Sequence, residues 1–161
     1  MLVLPEKAHL KEELARALAA DLALRERAHR AASDAATHEE AKPENDKDTR
    51  ALEQSYLAQG EARRVEELRA ALAEVQSMAI RDLAERDAAV LGALVVIDEG
   101  GIETLLWLAP HGGGSRLSEG SVQVVTPRSP LGQALIGRRA GDPCSVVLAG
   151  RERALTIVAI A

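Results

Sequence analysis

Apolar residues in the first 88 positions recur every three or four residues. They form one series before Pro43 and a second after it: Leu10, Leu14, Ala17, Leu18, Leu22, Ala28, Ala31, Ala32 and Ala35, then Leu52, Val65, Leu68, Leu72 and Val75. The last four step by 3, 4 and 3, as in the heptads of a coiled coil. Each arm has one apolar stripe, so the pattern predicts an antiparallel helical hairpin. Each arm has about 35 residues and reaches roughly 50 Å at ~1.5 Å per residue.

The remainder of the chain has short apolar runs of the kind that form strands. They are "LGALVVI" (91–97), "IETLLWLA" (102–109), "SVQVVT" (121–126), "CSVVL" (144–148) and "ALTIVAIA" (154–161), separated by glycine-rich turns. Ser129 can cap a short helix that begins at Pro130 and ends at Gly137. These elements predict an α+β fold in which one short helix packs on a small antiparallel sheet. Because the strands are apolar on both faces, we expect the sheet to be curved or covered.

Charge and glycine content divide the chain at the same place as the hydrophobic pattern. Residues 1–88 contain 14 Lys and Arg against 19 Asp and Glu, whereas residues 89–161 contain 6 of each. Eleven of the twelve glycines lie in the second part, and Gly60 is the exception. Such a shift in composition is typical of a domain boundary. We therefore predict a coiled-coil hairpin over 1–88 and a sheet domain over 89–161.

The overall composition argues against several classes of function. A net charge of −5 is unfavourable for direct DNA binding through phosphates, and with one Tyr, one Trp and no Phe the chain has few platforms for base stacking. Cys144 is the single cysteine, which suits a reducing compartment. The N-terminal residues lack the pattern of a signal peptide, and no apolar run approaches the ~20 residues of a membrane span. We expect a monomeric, cytoplasmic protein that does not bind membranes.

The break between the two predicted helices is rich in acidic residues. Five carboxylates lie in "HEEAKPENDKD" (38–48): Glu39, Glu40, Glu44, Asp46 and Asp48. Acidic residues in the first turn of a helix stabilise its dipole, and those in a last turn are often simply solvated. Alternatively, Mg²⁺ is commonly held by one or two protein carboxylates, so the same residues suit a metal-binding tip. The residues by themselves leave both interpretations open.

The segment "SPLGQALIGRRAGDPCSVVLAGRERALTIVAI" (129–160) resembles the C-terminal signature of the Gre-type (GreA/GreB) bacterial transcript-cleavage factors. In that family a Ser-Pro pair opens a short helix that ends Ala-Leu-Ile-Gly, and Gly-Asp then leads into a closing β-hairpin. The chain keeps these residues: Ser129, Pro130, Ala134, Leu135, Ile136, Gly137, Gly141 and Asp142. "SVQVVTPRSP" fits the preceding strand, and "LKEEL" (10–14) and "RRVEELRAAL" (63–72) are similar to the base of the family's coiled-coil arms.

The resemblance implies both a fold and a partner. The C-terminal domain would be FKBP-like and bind the outside of RNA polymerase, while the coiled coil enters the secondary channel. Acidic tip residues would then help to hold a second Mg²⁺ shared with the polymerase, so that the polymerase cuts backtracked RNA. On this view the protein has no catalytic activity or cofactor of its own, and any contact with nascent RNA is indirect.

The family's tip pattern can be matched to this chain in two ways. Matching Glu44-Asn45 to the family's Glu-Asn places Ala41 where the family has its first acid. Matching outward from Arg64 places Glu44 at the first acid and Lys47 at the second. Glu44 is acidic in both alignments and is the first candidate, with Asp46 as its partner and Glu40 and Asp48 as alternates.

The sequence leaves other functions open. The factor could occupy the channel without stimulating cleavage, or the hairpin could be an adaptor or chaperone arm. A prolyl isomerase is disfavoured, because such sites are lined by aromatic residues and this domain has only Trp107. Trp107, within "TLLWLA", is interpreted as a core residue. "HGGG" (111–114) is interpreted as a loop, since no Gly-x-Ser-x-Gly motif accompanies it.

Overall fold

The long helices lie where apolar residues recur every three or four positions, and the strands lie in the short apolar runs. A computed structural model describes residues 2–40 and 49–161. Its elements, in chain order, are α1 (Lys7–Glu40), α2 (Thr49–Ser77), β1 (Leu94–Glu99), β2 (Ile102–Leu108), β3 (Arg116–Leu117), β4 (Val122–Val125), α3 (Pro130–Leu135), β5 (Pro143–Leu148) and β6 (Arg151–Ile160). The predicted α+β fold, with a long helical hairpin, a sheet and one short helix, is confirmed.

The chain divides into two compact units. The sheet unit comprises Met1–Ala15 and Glu74–Ala161, and the hairpin unit comprises Arg16–Ala73. The first turns of α1 and the last turn of α2 therefore belong to the sheet unit. The boundary at residue 88, which was drawn from composition, stays a prediction.

In the hairpin unit α1 and α2 run antiparallel, and their apolar stripe is narrower than the sequence predicts. Val65 is buried, and Leu18, Leu22 and Leu68 are half-buried. Ala17, Ala28 and Ala31 are exposed, and Leu52 is 57% exposed, so these predicted stripe residues do not contribute to it. Polar atoms of His29, Gln54 and Glu61 are shielded from solvent in the same unit. Few apolar side chains are therefore buried between the two helices of this unit.

The six strands form one mixed sheet in the order β3-β4-β2-β1-β6-β5. The neighbouring pairs are antiparallel except β2 and β4, which are parallel from Leu105↔Val122 to Leu108↔Val125. The expectation of a purely antiparallel sheet is therefore wrong for this pair. The two-residue strand β3 explains the parallel pairing. It runs opposite to β2 and forms an antiparallel hairpin with β4, so β4 runs in the same direction as β2.

The centre of the sheet is buried on both faces. One face joins α3 in a core that includes Val95, Ile97, Leu106, Leu135 and Ile157. The alternate residues Leu94, Val96 and Trp107 are buried on the other face, so β1 and the end of β2 are covered on both sides, as expected. Trp107 is fully buried and its Nε1 donates to the Gly92 carbonyl (3.2 Å), which confirms its interpretation as a core residue.

Residues 78–93 connect α2 to β1 without forming a helix or strand, and side chains of α1 hold them in place. Lys11 Nζ donates to the Met78 carbonyl (2.8 Å) and Lys7 Nζ to the Arg81 carbonyl (2.7 Å). Burial lowers the pKa of Lys7, although the charge of Asp82 opposes this. The last turn of α2 contains no basic residue, so Lys11 supplies the positive charge that the end of a helix favours.

Replacing Lys11 by Met should lower the free energy of unfolding by about 1–2 kcal/mol. The change keeps most of the aliphatic stem but leaves the Met78 carbonyl without its charged donor. Urea denaturation measures the effect. Arg16→Met, at an exposed position of the same helix, is the control and should change the stability by no more than about 0.5 kcal/mol. Equal effects of the two substitutions would contradict a role for Lys11 at the end of α2.

Candidate functional site

The predicted acidic tip lies largely outside the described residues. Glu44, Asp46 and Asp48 all fall in the segment between α1 and α2 that is not described, and Glu40 is the last residue of α1. The predictions that Glu44 and Asp46 act at the polymerase centre and bind Mg²⁺ therefore stay predictions. Among residues 2–40 and 49–161, no three His, Cys, Asp or Glu side chains are grouped so that they could hold a metal.

An ionic network links the two helices of the hairpin unit. Arg69 on α2 donates to Glu26 on α1 (2.9 Å) and to Glu66 on its own helix (2.5 Å). The hydrogen bond that Arg69 donates to Glu26 is the main cause of the raised pKa of Arg69. Arg25 Nη1 lies 3.7 Å from Glu61 Oε1, a second contact between the helices. Both pairs join α1 to α2 within the hairpin unit, and both are partly exposed.

The Ser-Pro pair forms the beginning of α3. The Gly132 N–H donates to Ser129 Oγ (3.0 Å), and the Ser129 hydroxyl donates to the Thr126 carbonyl (2.8 Å). Pro130 occupies the first turn, where its missing N–H costs no hydrogen bond. A Cβ on Gly132 would lie 1.9 Å from the Thr126 carbonyl oxygen, so this position requires glycine. The predicted capping roles of Ser129 and Pro130 are confirmed.

The residues after α3 join this segment to the rest of the sheet unit. Gly137, at φ 79°, donates to the Ala89 carbonyl (2.8 Å), and Ala89 donates back to the Arg138 carbonyl (2.7 Å). Gly141, at φ 89°, donates to the Ile157 carbonyl (2.7 Å). Asp142 Oδ2 accepts from the Arg139 N–H (2.9 Å) and closes the turn between α3 and β5. The residues that carry the family resemblance thus build this local structure.

Two polar contacts of the sheet unit were not predicted from the sequence. The Glu13 carboxylate on α1 accepts from the Ser118 N–H at 2.9 and 3.2 Å. Ser118 and Glu119 form the tight turn between β3 and β4 at φ 52° and 56°, a backbone region that non-glycine residues rarely adopt. His111 Nε2 lies 2.9 Å from Glu74 Oε2 at the end of α2. No local sequence signal pairs residues that are 105 or 37 positions apart.

The "HGGG" segment is a loop, as predicted, and packing explains one of its glycines. Gly112 adopts φ 83°, and a Cβ there would lie 2.5 Å from Leu14 Cδ1. The loop therefore lies against the first turns of α1 within the sheet unit. A side chain at this position would displace Leu14, which is fully buried.

No protein-family model and no curated protein matches the chain, and no helix in its described part is long and apolar enough to cross a membrane. Solved structures do match. The chain is 19% identical to the GreA factor homolog 1 (Gfh1) protein of Thermus thermophilus, covering 91% of this chain and 94% of that one, with a TM-score of 0.40. It is 19% identical to Thermus aquaticus Gfh1 (90% and 92% covered, TM-score 0.41). It is 18% identical to the prokaryotic transcription elongation factor GreA/GreB from Nitrosomonas europaea (58% and 78% covered, TM-score 0.38).

Proposed function

We propose that this protein is a transcription elongation factor that binds bacterial RNA polymerase. The sheet unit binds the outside of the enzyme, and the hairpin enters the secondary channel with its acidic tip directed at the active centre. The protein supplies no catalysis of its own in this role, because the RNA cleavage reaction belongs to the polymerase.

One combination of features carries the proposal. The segment from Ser129 to Asp142, which resembles the signature of Gre-type factors, is preceded in the same chain by a long antiparallel hairpin. In the structure the signature residues make the capping, packing and turn contacts of α3 and its connections. If the resemblance were a coincidence, its residues would not be expected to be those that make the capping, packing and turn contacts of this segment.

Direct binding to core RNA polymerase tests the proposal. The full-length chain is immobilised and exposed to bacterial core enzyme at concentrations up to the micromolar range. We expect saturable binding that excess untagged chain abolishes. Absence of binding at micromolar polymerase would contradict the proposal and would favour a coiled-coil adaptor or chaperone arm.

The proposal takes two alternative forms, which differ in what the acidic tip does. In the first, Glu44 and Asp46 help to hold a Mg²⁺ ion beside the scissile phosphate of the RNA. Two-metal phosphoryl hydrolysis uses carboxylate oxygens to retain a hard cation. In the second, the hairpin occupies the channel and regulates transcription without stimulating cleavage. Ala41 favours the second form, since in one of the two alignments it replaces an acid of the family's tip.

A further inference from the structure

The hairpin unit, Arg16–Ala73, has a much smaller apolar core than the sheet unit. Among the described residues, its buried hydrophobic side chains are those of Val65 and Ala71, and all the other buried hydrophobic side chains belong to the sheet unit. Leu24 and Tyr56, which are large enough to contribute, are 56% and 63% exposed. Most of the stability of a helix in a protein comes from the packing of an apolar face. The hairpin unit therefore has little apolar burial to hold α1 and α2 together.

Three polar atoms inside this unit make its paired form less stable still. His29 Nδ1, Gln54 Oε1 and Glu61 Oε2 are shielded from solvent and have no hydrogen-bond partner among the described residues. Water solvates such atoms in an unfolded chain, so burying them without a partner favours separation of the helices. His29 lies on α1, whereas Gln54 and Glu61 lie on α2. The unfavourable burial therefore affects both helices.

The polar contacts of the unit add little stability, and one residue lowers it. Two ion pairs join the helices, and both are partly exposed: Arg69 with Glu26, and Arg25 with Glu61. Solvent screens pairs of this kind, so they contribute little. Gly60 lies inside α2, where a Cβ would meet nothing within 4 Å, and glycine destabilises a helix interior relative to alanine.

We propose that the hairpin unit is a conformational switch that opens while the sheet unit stays folded. In the open form α1 and α2 lose their mutual contacts and their backbone hydrogen bonds between Arg16 and Ala73. Local unfolding of this kind occurs in elements that bury few apolar side chains. The buried polar atoms of His29 and Gln54 shift the equilibrium towards the open form. Because residues 41–48 connect the two helices, opening removes both of the helices that flank this acidic segment.

Native-state hydrogen exchange of the full-length chain, without polymerase, tests the proposal. We expect the backbone amides of α1 and α2 between Arg16 and Ala73 to exchange about 100-fold faster or more than those of β1 and β2. Equal protection of the two units would show that the hairpin opens only when the whole chain unfolds, and would overturn the proposal. The switch is a property of the free protein. A chain that fails to bind polymerase would therefore contradict the proposed function and leave this result standing.

Two substitutions test whether the buried polar atoms set the equilibrium. His29→Leu and Gln54→Leu each remove a polar atom that has no partner and keep a side chain in its place. Each should slow the exchange of the hairpin amides by about fivefold or more. The matched controls, His38→Leu and Gln59→Leu, make the same changes at exposed positions of the same two helices and should alter the exchange by about twofold at most. If the two variants exchange as their controls do, the buried polar atoms do not set the equilibrium, and this part of the proposal is overturned.

Discussion

Replacing Gly132 by alanine is expected to lower the free energy of unfolding by about 3 kcal/mol or more. The added Cβ would lie 1.9 Å from the Thr126 carbonyl oxygen and 2.7 Å from its carbon, and both are backbone atoms. No side-chain rotation can relieve such a contact, so the loop before α3 must shift. The shift disturbs the bond from the Gly132 N–H to Ser129 Oγ, which caps the helix. Denaturant unfolding of the full-length chain measures the loss.

Gly60→Ala is the matched control for this prediction, because it makes the same chemical change where a Cβ meets nothing within 4 Å. It should stabilise the protein by up to about 1 kcal/mol. The two substitutions are therefore expected to have opposite signs. Similar stabilities for both variants would show that the loop from Thr126 to Ser129 moves freely, and would contradict the tight packing of α3 against it.

The elements that sequence analysis predicted well depend on local signals. Apolar spacing of three and four residues predicted α1 and α2, and the Ser129 cap followed by Pro130 predicted α3, since a capping side chain bonds to a backbone N–H only a few residues away. Leu52 shows where the periodic pattern failed. It has the spacing of a buried residue but is exposed, because a spacing does not say which of two apolar faces meets the other helix.

The features that were missed depend on contacts between distant parts of the chain. The parallel pairing of β2 with β4 requires β3, and a strand of two residues has too few positions to show an alternating pattern. The contact between the Glu13 carboxylate and the Ser118 N–H joins residues that are 105 positions apart. Tyr56 and Leu57 lie outside the predicted apolar stripe, and both are exposed. The acidic tip stays a prediction from sequence and from the family resemblance.

Replacing Glu44 by alanine is expected to reduce stimulated cleavage of backtracked RNA about tenfold or more, if the first form of the proposed function holds. A carboxylate that helps to retain a weakly bound Mg²⁺ raises the occupancy of the ion, so its loss should also raise the Mg²⁺ concentration needed for half-maximal cleavage. Asp46→Ala should act in the same direction. Cleavage in stalled elongation complexes, followed over a Mg²⁺ titration, measures both effects.

The affinity for core polymerase separates this mechanism from a loss of binding. Glu44→Ala should bind as the wild type does, and Glu67→Ala, an exposed acid of α2 away from the tip, should change neither cleavage nor binding. Unchanged cleavage in both tip variants would reject the acidic-tip mechanism. If the wild-type chain binds polymerase but stimulates no cleavage at any Mg²⁺ concentration, the protein is the channel-occupying regulator that Ala41 favours. In that case we expect replacement of Glu44 and Asp46 to change the rate of RNA synthesis instead of RNA cleavage.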